Sequence, residues 1–98
     1  MIENSLLILP TGRFLSPNRD LQPLPLLREY DAVPPFVRLN VTTEDIEFDL
    51  WMSVGDEQEE NTHARHAIDQ LTTMHFACTG PVLLTGLPSY AVAELGRG

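Results

Sequence analysis

The sequence predicts an α+β fold, in which an antiparallel β-hairpin is covered by an amphipathic helix and followed by a short strand and a C-terminal helix. Three observations lead to this prediction. Apolar and polar residues alternate through 36–54, apolar residues recur at helical spacing through about 57–76, and a short apolar run at 82–85 precedes a helix start. At 98 residues the chain is expected to form one domain, 1–98.

The hairpin is predicted from alternation over two segments, about 36–42 and 46–54. On one face all side chains are apolar: Val37, Leu39, Val41, Ile46, Phe48, Leu50, Met52 and Val54. An alternation of period two that persists over nine residues is typical of a strand with one buried face. We therefore expect this face to lie in the core.

A polar loop of four residues at 42–45 fixes the predicted pairing of the two strands. This register sets Arg38 opposite Asp49, which is a favourable cross-strand pair. One step further it sets Phe36 opposite Trp51. The polar face of the hairpin is thus predicted to carry an ion pair beside two aromatic rings.

The residues before the hairpin divide into two parts. Ser5–Leu9 is predicted as a short buried strand, with a turn at Thr11–Gly12 and a short return strand at 13–15. Residues 16–35 contain five prolines, which are incompatible with a long helix or a central strand. We interpret 16–35 as an extended arm with at most one helical turn, at Leu26–Tyr30. Its leucines favour packing, either on its own domain or around a neighbouring subunit.

The predicted covering helix spans about 57–76. It follows a break at Gly55, and the acidic residues 56–60 would complement the dipole of its first turn. Its apolar residues form one stripe: Ala64, Ala67, Ile68, Leu71, Met74 and Cys78. Such a stripe is expected to cover the apolar face of the hairpin.

The last part of the chain is predicted as a strand at 82–85 and a helix at 88–95. The strand is apolar without alternation, which is typical of burial on both faces. Pro88 suits the first turn of a helix. A right-handed crossover is expected if this strand lies parallel to one of the hairpin strands.

The formal net charge of −8 is concentrated in residues 44–60, which hold eight carboxylates and no basic residue. Elsewhere six carboxylates are balanced by six arginines, and the chain contains no lysine. A surface of this charge repels nucleic-acid phosphates and anionic membranes, so neither is expected as a partner of the acidic face. Residues 44–60 are interpreted either as a solvated face or as a surface for a basic partner.

Cellular location is suggested by the single cysteine and by the amino terminus. Cys78 cannot form an internal disulfide, which fits a reducing compartment. The first ten residues have neither a basic region nor an apolar run long enough for a signal peptide or a membrane span. A cytoplasmic protein is the resulting expectation.

A partner-binding surface is predicted around Trp51, which interrupts an otherwise polar strand face. Large aromatic residues beside charges are enriched among interface anchors. The alternative is that the proline-rich arm folds back and covers Trp51. The predicted binding residues are Phe36, Glu47, Asp49, Trp51, Asp56, Glu57, Glu59 and Glu60. They suggest an inhibitor, an adaptor or an assembly subunit that binds a basic protein.

A second hypothesis places a phosphate-bearing ligand at the junction 85–89, where a strand meets a helix amino terminus. Thr85, Gly86 and Ser89 would supply the donors, and the protein would be a small homodimeric enzyme or sensor. The junction lacks the repeated glycines and the lysine of a phosphate loop, so an ordinary helix start is the competing interpretation.

Metal binding and catalysis are both disfavoured. His63 and His66 would lie about three turns of one helix, roughly 14–18 Å, from His75 and Cys78, too far to share one ion. No serine, threonine or cysteine has a recognisable nucleophile context. We predict no metal and no cofactor, and the pattern favours binding over catalysis.

Overall fold

The computed structural model describes residues 4–17, 22–54 and 58–95. Its centre is a five-stranded, fully antiparallel sheet with the strand order β2-β1-β5-β4-β3. The predicted α+β class is confirmed. Along the chain the elements are β1 Ser5–Ile8, β2 Phe14–Leu15, α1 Pro23–Glu29, β3 Phe36–Thr42, β4 Glu47–Ser53, α2 Thr62–Leu71, β5 Val82–Thr85 and α3 Ser89–Leu95.

The β3–β4 hairpin forms as predicted, but its register differs from the prediction by two residues. Arg38 lies opposite Trp51, and Asn40 lies opposite Asp49. The loop is therefore 43–46, closed by a 2.8 Å hydrogen bond from the Thr43 amide to the Ile46 carbonyl. A shift of two residues leaves every side chain on its predicted face, because side chains alternate with a period of two. The faces are thus correct although the pairs are wrong.

The apolar face of the sheet forms the larger core. Phe48 and Leu50 are almost fully buried there, and α2 and α3 cover this face. The buried members are Leu6, Ile8, Val41, Ile46, Phe48, Leu50, Met52, Ala64, Ala67, Ile68, Cys78, Val82, Leu84, Leu87, Ala91 and Leu95. The predicted role of the amphipathic helix as the cover of the hairpin is confirmed by these contacts.

Helix α2 is shorter than the predicted helix at 57–76 and has different ends. It begins after Asn61, whose side-chain oxygen accepts a hydrogen bond from the Ala64 amide, while Glu60 forms a β-bridge with Thr79. It ends at Leu71, because Thr72 adopts an extended conformation with φ −152°. Residues 72–79 return to the sheet without helix, and Cys78 enters the core from this segment.

Asn61 connects three parts of the fold and is itself fully buried. Its side-chain nitrogen donates to the carbonyls of Ile8 and Gly80, at 2.9 and 2.8 Å. These bonds join the start of α2 to the end of β1 and to the segment before β5. The helix start is therefore fixed by tertiary contacts as well as by its cap.

Strand β5 lies in the middle of the sheet and is buried on both faces, as predicted. It pairs antiparallel with β1 on one side and with β4 on the other. Because β4 and β5 are antiparallel neighbours, the right-handed crossover considered for a parallel arrangement does not occur.

The second face of the sheet is covered in part by the described residues of the proline-rich arm, 16–17 and 22–35, which pack on their own chain. Within it α1 spans seven residues and is longer than the single predicted turn. Leu26 and Leu27 of α1 are buried in a smaller core together with Leu7, Ala32 and Leu83. None of the helices in the described ranges is long and apolar enough to cross a membrane.

Candidate functional site

The polar face of the β3–β4 hairpin is the candidate site. Alternation places Glu47, Asp49 and Trp51 of β4 on the same face as Arg38 and Asn40 of β3. This is the sheet face that α1 covers only in part, and Arg38, Asn40 and Glu47 are exposed. The structure therefore brings together the hairpin residues that the sequence assigned to partner binding.

A network of hydrogen bonds organises this face. Asp49 accepts from Arg38 Nη2 at 2.9 Å and from Asn40 Nδ2 at 3.0 Å. Glu47 accepts from Thr42 Oγ1 at 3.2 Å and from Asn40 Nδ2 at 3.4 Å. The predicted Arg38–Asp49 ion pair thus forms between diagonal neighbours, because the arginine side chain spans the two-residue difference in register.

The pKa of Asp49 is lowered from its ordinary value of 3.8. The hydrogen bond from Asn40 contributes most, burial opposes it, and the hydrogen bond and charge of Arg38 lower the pKa further. Asp49 is therefore a carboxylate held in place by two donors, Asn40 and Arg38.

Trp51 is partly buried by its own chain. Its ring packs against the smaller core of Leu7, Leu26, Leu27, Ala32 and Leu83. Its indole nitrogen donates to Thr85 Oγ1 at 3.1 Å, and the guanidinium carbon of Arg38 lies 5.1 Å from the ring centroid. Trp51 thus joins the hydrophobic layer under α1 to the polar surface beside it.

An open depression of about 300 Å³ lies beside this network. Its lining residues are Arg38, Asn40, Glu47, Phe48, Asp49, Thr85 and Gly86. Two of the three residues predicted to bind a phosphate, Thr85 and Gly86, therefore share a depression with two carboxylates. Asp49 lies directly opposite Thr85 in the sheet register.

Ser89, the third residue of the predicted anion site, is already hydrogen-bonded within the chain. Its hydroxyl oxygen accepts from Asn4 Nδ2 at 3.0 Å. Helix α3 begins at Ser89 and spans only seven residues. The Thr85 hydroxyl likewise holds the indole of Trp51. Both hydroxyl oxygens accept in these bonds, so their O–H groups can still donate. The two carboxylates that line the depression with Thr85 are what make this junction a poor environment for a phosphate.

The other predicted binding residues lie elsewhere. Asp56 and Glu57 are outside the described residues. Glu59 and Glu60 are exposed and lie beside Thr79 and Gly80. Gly80 is five residues before Thr85, the partner of Asp49, so at roughly 3.4 Å per residue the two acidic groups lie about 17 Å apart along the sheet. Within the described residues the acidic stretch is therefore divided between two ends of the sheet.

Phe36 lies on the same sheet face as Trp51, but the two residues are not cross-strand partners, because Phe36 faces Ser53. The ring of Phe36 is partly buried against the smaller core, and the guanidinium carbon of Arg28 lies 5.8 Å from its centroid. Phe36 is therefore linked to α1 as well as to the sheet.

A second depression, of about 390 Å³, contains carboxylates that the sequence analysis did not single out. Glu29 and Asp31 from the arm lie there with Glu59, next to Tyr30 and Pro81. In the sequence, Glu29 and Asp31 belong to the six carboxylates outside residues 44–60, whose charge is balanced by the six arginines. Only the folding of the arm onto the sheet brings them near Glu59, so no local sequence signal could have identified this group.

The Cys78 thiol is buried, whereas the His75 imidazole is exposed. Burial, with a smaller contribution from the charge of Asp69, raises the pKa of Cys78 to about 11, so the thiol is protonated at neutral pH. His75 and Cys78 lie after α2, contrary to the predicted helix, and His75 contacts Asp69 at 3.1 Å. Among the described residues, no three or more His, Cys, Asp or Glu side chains are grouped to hold a metal ion.

Comparison with known proteins gives no assignment. No protein-family model matches the chain, and neither the curated proteins nor the solved structures contain a match.

Proposed function

We propose that this chain is a small cytosolic protein-interaction module that binds a basic protein surface through the polar face of its β3–β4 hairpin. One observation carries the proposal: Glu47 and Asp49 line an open depression on this face, whereas helices cover the opposite face of the sheet. An inhibitor, an adaptor or an assembly subunit would use such a surface in the same way.

Glu47 is the carboxylate best suited to meet a partner's arginine or lysine. It is exposed, and within the described part of the chain its side chain has only the neutral hydrogen-bond partners Asn40 and Thr42. Glu44 and Asp45 in the adjacent loop are exposed as well. A basic side chain placed here would gain a charge-assisted hydrogen bond without first breaking an internal ion pair.

Asp49 and Trp51 would act differently from Glu47. Asp49 is already paired with Arg38, so a basic partner would compete with that arginine. Trp51 is partly covered by α1, and only its remaining exposed part is available as an anchor. Anchor roles for Trp51 and Phe36 stay predictions.

The test compares two variants that remove one negative charge each. Glu47→Gln changes the proposed surface, whereas Glu94→Gln changes an exposed carboxylate on α3, in the helical layer over the opposite face. Each tagged protein is incubated with a cell extract, and bound proteins are eluted with increasing salt. We expect a protein retained by the wild type to elute at lower salt from Glu47→Gln and at unchanged salt from Glu94→Gln.

Two results would contradict the proposal. Equal effects of the two variants would mean that the net charge of the chain, and no particular surface, retains the bound proteins. Retention unaffected by Glu47→Gln and by salt would show that the hairpin face takes no part.

The phosphate-binding alternative is not favoured by a specific observation. The two carboxylates beside Thr85 oppose it. It remains a prediction that ligand screening can test.

A further inference from the structure

Strand β3 forms an open edge of the sheet. It pairs with β4 on one side, and in the described part of the chain no strand pairs with its other side. It is seven residues long and contains no proline. Such an edge presents unpaired backbone groups to any strand that can align with it.

The backbone groups that face outward can be identified from the ladder. The Thr43 amide donates to the Ile46 carbonyl, and the Val54 amide donates to the Pro35 carbonyl. Thr43 and Pro35 flank β3, so the odd-numbered residues of β3 form the hydrogen-bonded pairs with β4. Antiparallel ladders alternate between hydrogen-bonded and non-hydrogen-bonded pairs. The N–H and C=O groups of the even-numbered residues therefore point away from β4: Phe36, Arg38, Asn40 and Thr42.

We propose that a second copy of this chain occupies this edge, with the two β3 strands antiparallel about a two-fold axis at Leu39. The sequence of β3 is self-complementary about that residue. Leu39 lies opposite Leu39 of the second copy, Val37 lies opposite Val41, and Arg38 lies opposite Asn40. Apolar side chains then meet on one face, and on the other Arg38 meets Asn40 and Phe36 meets Thr42.

The outward-facing groups select this register. With the axis at Leu39 the pairs Phe36–Thr42 and Arg38–Asn40 are hydrogen-bonded pairs, so all four outward-facing residues of each copy are used. An axis at Arg38 would place two guanidinium groups directly opposite each other, which is destabilising. An axis at Asn40 would move Phe36 beyond the end of the opposing strand and leave its backbone unpaired.

Charge also favours this arrangement despite the net charge of −8 on each copy. β3 contains Arg38 and no carboxylate, so the edge is the least acidic part of the hairpin. Because Thr42 lies opposite Phe36, the acidic loop after Thr42 approaches the Arg28 side chain next to Phe36 of the second copy. This contact occurs twice in a symmetric dimer and offsets part of the repulsion.

Burial gives a further contribution. Val37 and Leu39 are only partly buried in the single chain, although they pack against the larger core. A second β3 covers their outer sides with apolar residues. The inference does not depend on the proposed function, since it rests on the outward-facing backbone groups of β3 and not on the carboxylates of the depression.

The first test is the mass of the purified full chain by light scattering and sedimentation over a range of concentrations. We expect the mass to rise from one chain to two. Asn40→Pro removes an outward-facing N–H and no backbone hydrogen bond of the β3–β4 ladder, so it should remain monomeric with the circular dichroism of a folded sheet. Asn40→Ala is the matched control, because it loses the same side-chain bonds to Glu47 and Asp49 but keeps the N–H, and it should still dimerise. A wild-type mass of one chain at every concentration overturns the proposal.

The second test locates the axis by disulfide cross-linking. Leu39→Cys places two thiols at a non-hydrogen-bonded pair, where Cα atoms are about 4.5 Å apart, within the range of a disulfide. Thr42→Cys is the matched control, because its two thiols would lie roughly 20 Å apart at about 3.4 Å per residue although position 42 is the more exposed. Native Cys78 is buried and protonated, so the wild-type chain serves as the blank.

Under mild oxidation, Leu39→Cys should form a covalent dimer at least about tenfold faster than Thr42→Cys, because only its thiols are held at bonding distance. Equal rates, or a faster rate for Thr42→Cys, would overturn the two-fold axis at Leu39. This outcome is independent of any partner binding, since the purified chain is the only protein present.

Discussion

Replacement of Asn61 by alanine should destabilise the fold more than any exposed substitution in α2. The side chain is fully buried, caps α2 through the Ala64 amide and donates to the carbonyls of Ile8 and Gly80. Loss of an N-cap costs about 1 kcal/mol. Each of the two hydrogen bonds to a carbonyl contributes about 0.5–1.5 kcal/mol more, so we expect a loss of about 2–4 kcal/mol in the free energy of unfolding.

Asn61→Asp tests the same contacts with almost unchanged shape. It keeps the capping oxygen, but it turns the donor that serves Ile8 and Gly80 into a second oxygen next to their carbonyls. Burial and these carbonyls raise the folded-state pKa of the introduced carboxyl group. The destabilisation is then largest above that raised pKa and decreases as the pH falls through it, because protonation restores one donor.

Urea denaturation followed by circular dichroism at several pH values measures both effects. Gln70→Ala, at an exposed position of the same helix, is the control and should change stability by less than about 0.5 kcal/mol. A loss below about 1 kcal/mol for Asn61→Ala would refute the inferred role of its two donor bonds. A pH profile of Asn61→Asp parallel to that of the wild type would refute it as well.

Three further predictions follow from the sheet and its two faces. Phe48→Ala should cost about 3–5 kcal/mol in chemical denaturation because its ring is buried in the larger core, whereas Trp51→Ala should cost about 2–3 kcal/mol because its ring is only partly buried. A cost below about 1 kcal/mol for Trp51→Ala would contradict its packing under α1. Because the pKa of Asp49 is lowered, the ionised carboxylate stabilises the wild type relative to Asp49→Asn above about pH 5, and this extra stability is lost as the pH falls through the folded-state pKa. Denaturation of both proteins between about pH 5 and pH 2 measures the difference in their free energies of unfolding. A difference that does not change with pH would contradict the prediction. Nucleotides and inorganic phosphate at millimolar concentration should leave the melting temperature unchanged, since Asp49 faces Thr85, and a saturable rise that Ser89→Pro abolishes would instead support the phosphate hypothesis.

Alternation in the sequence determined which side chains of the hairpin lie in the core. Phe48 and Leu50 are buried, and Glu47, Asp49 and Trp51 lie on the opposite face, as the period of two requires. The same kind of pattern located β5, which is apolar at successive positions because both of its faces are covered. These features depend on the hydrophobicity of individual side chains, which can be read directly from the sequence.

The pairing of strands and the ends of α2 were decided by tertiary structure. A register error of two residues changes no face, so alternation cannot distinguish the predicted loop from the observed loop at 43–46. The acidic residues before α2 suit a helix by local charge, but the bridge of Glu60 with Thr79 and the buried contacts of Asn61 place its start later. Both outcomes depend on partners distant in sequence.

The candidate site shows the same division. The sequence identified Glu47, Asp49 and Trp51 as one polar and aromatic face, because strand geometry alone places them together. It did not determine that α1 packs beside Trp51 or that Thr85 receives its indole hydrogen bond. Those contacts join residues more than twenty positions apart, and their partners are selected by the order of strands in the sheet, which no local pattern specifies.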